Sequence, residues 1–202
     1  NVISPKKGWH ENHARDQFQR NAIERGYKNF SDEDIIMISD IDEIPNPKKL
    51  EEFDIKNKYA CFLQKNFQSK INLLNISDNN WNGTKITQKK YLKSPQWLRS
   101  IKTSKPAFWK FYKPRQPQLI YNGGWHFSFL KEPEGISKKI KSYSHSEYNK
   151  PEFTDEKKIK ERIKKRIDIF DRDYKYKKVD LDDTFPKYIL ENLSKYSNWI
   201  IQ

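Results

Sequence analysis

A run of four apolar residues that ends in a cluster of acids constrains this chain more than any other feature. Ile35–Ile38 has the composition of a short buried strand, and Asp40, Asp42 and Glu43 follow it closely. Because burying a carboxylate is costly, acids at the end of a buried strand belong at an open rim. Open α/β sheets bind their ligands at this carboxyl edge. The segment therefore predicts a strand that leads directly into a candidate ligand site.

The spacing of the two aspartates favours a cation. Asp40 and Asp42 lie on either side of Ile41, so their carboxylates can approach one hard cation such as Mg²⁺ or Mn²⁺. A metal ion held there could bind a phosphate. The segment alone fits a loop of solvated acids after a core strand equally well, and both interpretations stay open at this point.

The charge distribution supports a cation site in a basic chain. The formal net charge is +13, but residues 31–54 contain nine acids and two lysines, a local charge of −7. The rest of the chain therefore carries +20. An acidic island in a basic chain suits a cation whose surroundings attract an anion such as a nucleoside diphosphate. Most of the lysines are expected to act only as solubilising surface residues.

Length and composition predict one domain, and the order of its elements predicts a mixed α/β fold. The 202 residues, 35% hydrophobic and 14% aromatic, are enough for a real core. The single Cys61 excludes an internal disulfide, and no apolar run reaches membrane-spanning length. Helices are expected at 11–25, 48–53, from Ser94 onwards, and at 134–143, 154–170 and 186–196. Strands are expected at 35–38, 59–67, 71–76, 84–87, 119–121 and 125–130.

The helix expected at 154–170 has the clearest pattern. Thr154 is its expected N-cap, and Ile159, Ile163, Ile167 and Phe170 form its apolar stripe. Its lysines and arginines face away from that stripe. We expect them to form a solvated face rather than a nucleic-acid groove.

A glycine-rich segment at 122–129 is the second candidate site. The paired glycines, of which Gly124 is the second, allow close approach of a backbone to a ligand. Trp125 could stack on a sugar, and His126 could bind a metal or donate a hydrogen bond. A glycine bend beside a core tryptophan explains the same residues without a ligand.

Two smaller polar clusters complete the candidate set. His145 and Glu147 lie two residues apart and could act as positioning group and base, although a surface pair is the commoner arrangement. Arg15 and Asp16 lie on the first helix, where Arg15 could bind phosphate or form an ordinary surface ion pair.

Together and in this order, these clusters resemble glycosyltransferase family 17, which contains the enzyme that adds bisecting N-acetylglucosamine to glycoproteins. The matching segments are Arg15-Asp16, Ile-Ser-Asp-Ile-Asp-Glu-Ile-Pro at 38–45, Gly-Trp-His-Phe-Ser at 124–128, Pro-Glu-Gly-Ile at 133–136 and His-Ser-Glu at 145–147. The resemblance extends from about Trp9 to the C-terminal helix, and the acidic string is fairly specific.

The resemblance implies a GT-A-like, Rossmann-like mixed sheet flanked by helices, and inverting transfer from a nucleotide sugar such as UDP-N-acetylglucosamine to a glycan or glycoconjugate. It implies Mn²⁺ or Mg²⁺ at Asp40 and Asp42, with His126 as a further ligand. Arg15, Asp16, Gly124, Trp125 and His145 are the expected substrate-binding residues. Glu147 is the first candidate for the base and Glu43 the second.

The N-terminus departs from the family pattern. Family members carry a longer N-terminal portion with strands that cradle the nucleotide base, so we expect a truncated glycosyltransferase domain over residues 1–202. The lysine-, asparagine- and isoleucine-rich usage fits a microbial or viral source. That source favours a cytoplasmic role in surface glycan assembly, whereas a eukaryotic member would act in the Golgi lumen.

Three other functions compete with a transferase. A phosphatase of the haloacid-dehalogenase type also ends a strand in Asp-x-Asp, but it requires a hydroxyl residue where Ile44 stands. A basic nucleic-acid-binding module leaves the acidic island unexplained, because carboxylates repel phosphates. A catalytically silent sugar-binding relative is the third alternative. We expect no nucleic-acid partner.

Overall fold

The computed structural model describes residues 11–105, 109, 115–142 and 146–202, which group into two compact units. The first unit contains the described residues up to Gln64 together with Asn82–Gly124. The second unit contains Lys65–Trp81 and Trp125–Gln202. The expectation of a single domain over residues 1–202 stays a prediction.

Short helices and strands alternate along the described chain. The α-helices are α1 (Glu11–Asn21), α2 (Pro95–Ser100), α3 (Pro133–Ser142), α4 (Pro151–Thr154), α5 (Glu156–Lys165) and α6 (Lys187–Glu191). The 3₁₀-helices are Ala22–Gly26, Pro47–Glu52, Lys89–Tyr91, Ser146–Tyr148 and Leu193–Trp199. The strands are β1 (Ile35–Ile38), β2 (Glu43–Pro45), β3 (Tyr59–Gln68), β4 (Leu73–Asn75), β5 (Trp81–Gln88), β6 (Gln118–Ile120), β7 (Gly124–Ser128) and β8 (Tyr176–Lys178).

The sheet of the first unit presents a core on each of its faces. β1 pairs antiparallel with β5, β5 lies between β1 and β3, and β6 pairs parallel with the first half of β3. Because side chains alternate along a strand, Ile36 and Ile38 pack with Leu98 of α2 while Met37 packs against the opposite core with Phe62. Because β1 packs on both of its faces, its end, where the acidic turn begins, has a fixed position.

The second unit combines a mixed sheet with a helical core. β7 pairs parallel with the second half of β3, β4 pairs antiparallel with β3, and β8 pairs antiparallel with β4. Helices α3 and α5 contribute Ile136, Ile140 and Ile159 to one apolar cluster. Both units therefore confirm the predicted mixed α/β class, in which parallel and antiparallel pairs share a sheet.

The structure corrects the predicted helix at 154–170. The observed α5 covers Glu156–Lys165, and its N-cap is Asp155, whose Oδ1 accepts a hydrogen bond from the Lys158 amide at 2.9 Å. Thr154 instead ends α4. The helix ends because Arg166 has a φ of 58°, so Ile167 and Phe170 lie beyond it.

Other boundaries also differ from the predictions. The helix expected at 186–196 divides into α6 and the 3₁₀-helix Leu193–Trp199, and strands β2 and β8 were not predicted. β1 has the predicted bounds. In the part of the chain that the structure describes, no helix is long and apolar enough to span a membrane.

Candidate functional site

The acidic segment forms a tight turn directly after β1. The Glu43 amide donates to the Asp40 carbonyl at 3.0 Å, and the Glu43 carboxylate accepts from the Asp40 amide at 3.1 Å. The hydroxyls of Ser39 and Thr84 lie 2.7 Å apart, which ties the start of the turn to β5. The turn is therefore held by its own backbone and by the neighbouring strand, which gives Asp40 a defined position.

Arg99, at the end of α2, is the cation at the centre of this turn. Its Nη1 and Nη2 donate to the two oxygens of Glu43 at 2.9 and 2.7 Å, and Nη2 also donates to Asp40 Oδ2 at 2.9 Å. Burial alone would lower the pKa of Arg99, but the charges of Glu43 and Asp40 and the hydrogen bonds to Glu43 raise it. The guanidinium therefore stays charged, and it neutralises the fully buried Glu43 side chain.

A second arginine reaches the other oxygen of Asp40. Arg20 of α1 donates from Nη2 to Asp40 Oδ1 at 3.2 Å and from Nη1 to Gln96 Oε1 at 2.6 Å. The Asp40 side chain, 39% exposed, thus lies between two guanidinium groups. This arrangement places two guanidinium groups, balanced by the carboxylates of Asp40 and Glu43, at the rim where the sequence predicts a ligand.

A buried lysine and a buried cysteine lie on the strands behind this turn. Lys85 of β5 donates from Nζ to the Arg99 carbonyl at 2.6 Å and also to the Ile101 carbonyl. Burial lowers the pKa of Lys85 to about 8. Burial also raises the pKa of the Cys61 thiol on β3 to about 11. Lys85 holds the end of α2, from which Arg99 extends.

Whether these residues could hold a divalent cation depends on whether the protein alone, or a bound diphosphate as well, supplies the ligands. Among residues 11–105, 109, 115–142 and 146–202, no group of three or more His, Cys, Asp or Glu side chains is placed to hold a metal ion. Asp40 is engaged by two guanidiniums, and Asp42 is half-buried in the same turn. Mg²⁺ at diphosphate sites commonly uses one or two carboxylates together with substrate phosphates. The residues therefore fit a cation that a bound diphosphate helps to hold, and do not fit one held by protein alone.

The predicted glycine pair packs against the exit of the acidic turn. The Asn46 amide donates to the Gly123 carbonyl at 2.8 Å. Gly124 has a φ of 142°, and a Cβ atom there would lie 2.1 Å from the Ile44 carbonyl oxygen. Close backbone packing thus explains why glycine occupies this position. The substrate-binding role predicted for Gly124 stays a prediction.

The two aromatic residues that follow lie in the second unit. Trp125 is 6% exposed and belongs to an apolar core with Phe67 and Phe127, so its buried ring has the environment of a core residue. The buried His126 ring stacks on Trp81, with ring centroids 4.2 Å apart and planes inclined by 6°. Its Nδ1 lies 2.9 Å from Asn66 Oδ1.

A chain of hydrogen bonds orients this histidine. Asn66 donates from Nδ2 to Asp78 Oδ2 at 3.3 Å, which turns its Oδ1 towards His126. An amide oxygen can only accept, so the Nδ1 atom of His126 carries the proton. The arrangement fixes the tautomer and leaves Nε2 as the acceptor nitrogen of the neutral ring. The metal-ligand role predicted for His126 stays a prediction.

The remaining predicted residues belong to other elements of the two units. Arg15 is exposed and Asp16 half-buried on α1, the helix that also carries Arg20. Glu147 is exposed in the 3₁₀-helix of the second unit. His145 lies outside the described residues. The structure thus brings together Asp40 and Glu43 in one network, with two arginines that the sequence analysis did not select.

Those arginines had no recognisable sequence signal. Arg99 lies 56 residues from Glu43 along the chain, and Arg20 lies 20 residues from Asp40. A basic residue at the end of a short helix is ordinarily explained by the helix dipole. Asn66, Asp78 and Trp81 likewise lack a motif. Only tertiary pairing identifies these residues.

Comparison with known proteins identifies the family to which this chain belongs. The model of glycosyltransferase family 17 matches residues 3–198. No curated protein and no solved structure matches the chain. Because the family match covers nearly the whole chain, the protein belongs to glycosyltransferase family 17.

Proposed function

We propose that this protein transfers a sugar, N-acetylglucosamine in the first instance, from a uridine diphosphate donor to a glycan acceptor with inversion at the anomeric carbon. The observation that carries the proposal is the acidic turn after β1, flanked by Arg20 and Arg99, in a chain that belongs to a glycosyltransferase family. The proposal includes a GT-A-type fold, with which the mixed parallel and antiparallel sheets are compatible.

Arg20 has the chemistry needed at the leaving group, whereas the Nη atoms of Arg99 donate to Glu43, Asp40 and the Gly83 carbonyl. Departure of a nucleoside diphosphate builds negative charge on its terminal phosphate, and fixed positive groups stabilise that charge. Guanidinium groups bind phosphate through paired hydrogen bonds. Asp40 accepts from Arg20 through Oδ1 and from Arg99 through Oδ2, so we assign it the role of positioning the Arg20 guanidinium.

A divalent cation is proposed at Asp42, with the donor diphosphate supplying further ligands. When bound, such a cation would neutralise charge on the diphosphate as the bond between the anomeric carbon and the phosphate oxygen breaks. The carboxylate of Asp42 lies in the same turn as Asp40 and is half-buried. Asp42 is the acid proposed for the cation because it lies in the turn that directly follows β1, two residues after Asp40.

The acceptor hydroxyl requires a base. Glu147 is our candidate, because it is an exposed carboxylate that can accept a proton from a bound sugar. Glu43 is the weaker candidate, because its side chain is fully buried and both oxygens accept from Arg99. A carboxylate in that environment organises structure more readily than it accepts a proton.

The decisive experiment measures release of uridine diphosphate from a panel of nucleotide sugars, with Mg²⁺, Mn²⁺ or a chelator. We expect metal-dependent release that Asp42→Asn abolishes. Asp32→Asn is the matched control, because this exposed acid precedes β1 in the same acidic segment. We expect Asp32→Asn to retain wild-type release.

The outcomes separate the proposed enzyme from its alternatives. Metal-dependent binding of a nucleotide sugar without any turnover would support a silent sugar-binding relative. Salt-sensitive, metal-independent binding to oligonucleotides, with no donor binding, would contradict the transferase and favour a nucleic-acid module. Equal release by Asp42→Asn and the wild type would remove Asp42 from the site.

A further inference from the structure

The second unit contains a cavity that the donor site does not use. Its volume is about 710 Å³, which lies within the range of small-molecule sites. Helix α5 forms one wall, the segment that leads into α3 forms another, and Trp199 and Ile201 near the C-terminus form a third. A cavity walled by three separate segments differs from the flat solvated face that the sequence predicts for α5.

The walls carry more positive than negative charge. Six cations line the cavity, against the three carboxylates of Glu132, Glu134 and Glu156; the cations are Lys70, Lys131, Lys157, Lys160, Lys164 and Arg166. Among the described residues, none of the six lies within 4.0 Å of a carboxylate. Unneutralised like charges around a concave surface repel each other and attract an anion.

Two residues of the cavity wall have a backbone conformation that their side chains disfavour. Ser69 has a φ of 62° and Arg166 a φ of 58°. Arg166 occupies the left-handed position after α5, where glycine is the common residue. An arginine at a backbone position that favours glycine places a guanidinium at the cavity despite the conformational cost. Such outliers are concentrated at functional sites.

An aromatic surface lies beside the charges. Trp199 is half-buried in the wall, and Lys70 Nζ lies 5.8 Å from its ring centroid. Lys70 also donates to the Asn198 carbonyl at 2.5 Å, which fixes the lysine next to the tryptophan. An indole ring offers an apolar face of the kind on which a sugar ring stacks. The cavity thus combines an anion-binding wall with a sugar-binding wall.

We propose that this cavity binds the anionic part of the acceptor, a saccharide that carries phosphate or carboxylate groups. Arg166 and the neighbouring lysines hold the anionic group, and Trp199 stacks on a sugar ring. The inference rests on the proposed function, because it assigns the ligand as the acceptor of the transfer. It adds the chemical class of that acceptor, which the family membership leaves open.

Titration calorimetry on the whole chain tests the site, with mannose 6-phosphate as the probe and mannose and inorganic phosphate for comparison. We expect mannose 6-phosphate to bind more tightly than either. Arg166→Gly removes the charge and suits the left-handed backbone. We therefore expect about tenfold weaker binding, with the free energy of unfolding unchanged or higher. Trp199→Leu should weaken binding of mannose 6-phosphate but not of inorganic phosphate.

A matched control and a second assay separate the outcomes. Lys138→Gln removes an exposed lysine of α3 that does not line the cavity, and should bind as the wild type does. Wild-type affinity in Arg166→Gly and in Lys160→Gln would overturn the site. Donor turnover with a neutral acceptor, and no binding of mannose 6-phosphate, would overturn this inference but leave the proposed transferase intact. Binding that Arg166→Gly weakens, in a chain that turns over no donor, would overturn the acceptor assignment and the proposed function together.

Discussion

Arg99 binds both carboxylate oxygens of Glu43, at 2.7 and 2.9 Å, although the Glu43 side chain has no exposed surface. Each member of such a pair would be costly to bury alone. The same guanidinium donates to Asp40 and to the Gly83 carbonyl. One ion pair therefore connects α2, β5 and the turn that follows β1.

Arg99→Met should destabilise the protein strongly, because it leaves the Glu43 carboxylate buried without its cation. We expect the free energy of unfolding to fall by about 3–5 kcal/mol, measured by urea denaturation. Lys165→Met is the control, because it breaks the exposed pair with Glu161, which water screens, and should leave stability nearly unchanged. If both variants lost the same small amount, Arg99 would not stabilise the turn.

Gly124→Ala should be destabilising where Gly26→Ala is not. A Cβ at Gly124 meets the Ile44 carbonyl oxygen at 2.1 Å, and its φ of 142° disfavours any side chain. We expect a loss of about 2 kcal/mol or more. At Gly26 no atom lies within 4 Å of an added Cβ, and alanine also reduces the entropy of the unfolded chain. Thermal unfolding of both variants checks the prediction, and equal effects would contradict it.

Local patterns predicted some parts of this molecule and failed on others for physical reasons. The sequence predicted β1 and the start of α2 at Ser94, whose Oγ accepts from the Trp97 amide at 3.1 Å, because both depend on neighbouring residues. The C-terminal end of α5 was predicted wrongly. Glycine is the usual sequence sign of a left-handed residue that ends a helix, and this position is an arginine. Arg99 was missed because its pairing with Glu43 is purely tertiary.

Stability should depend on pH through two buried groups with opposite effects. The pKa of Lys85 falls from 10.5 to about 8, so between these values the unfolded chain holds a proton that the folded chain has lost. Its contribution to the free energy of unfolding therefore rises with pH, by roughly 1 kcal/mol per pH unit. The pKa of Cys61 rises from 9.0 to about 11, so its contribution falls between those values.

Single variants separate the two effects. In the wild type we expect stability to rise from pH 8 to 9 and then to level off as the two contributions cancel. Lys85→Met should remove the rise and leave a decline above pH 9, whereas Cys61→Ala should extend the rise towards pH 10. Urea titrations at half-unit pH intervals measure these slopes. Parallel curves for all three proteins would contradict the assignment.

His126 should be a single tautomer in its neutral form. Asn66 Nδ2 donates to Asp78 while its Oδ1 accepts from His126, which requires the proton on Nδ1. Nitrogen-15 spectra of the imidazole should therefore show a protonated Nδ1 and an unprotonated Nε2. Asn66→Leu should give a mixture of tautomers. A wild-type ring protonated mainly on Nε2 would show that the amide does not orient it.

Glutamine substitutions should distinguish the two candidate bases. Glu147 is exposed, so Glu147→Gln should leave the free energy of unfolding nearly unchanged while lowering kcat by about 100-fold or more. Glu43→Gln removes the charge that neutralises Arg99 and should lose stability as well as activity. Glu152→Gln, at an exposed glutamate of α4, is the control and should retain both stability and activity.

Because the general base acts on the acceptor proton, the loss in Glu147→Gln should appear in kcat rather than in KM. Stability and donor binding are measured on the same preparations. A Glu147→Gln enzyme with wild-type kcat would exclude Glu147 as the base.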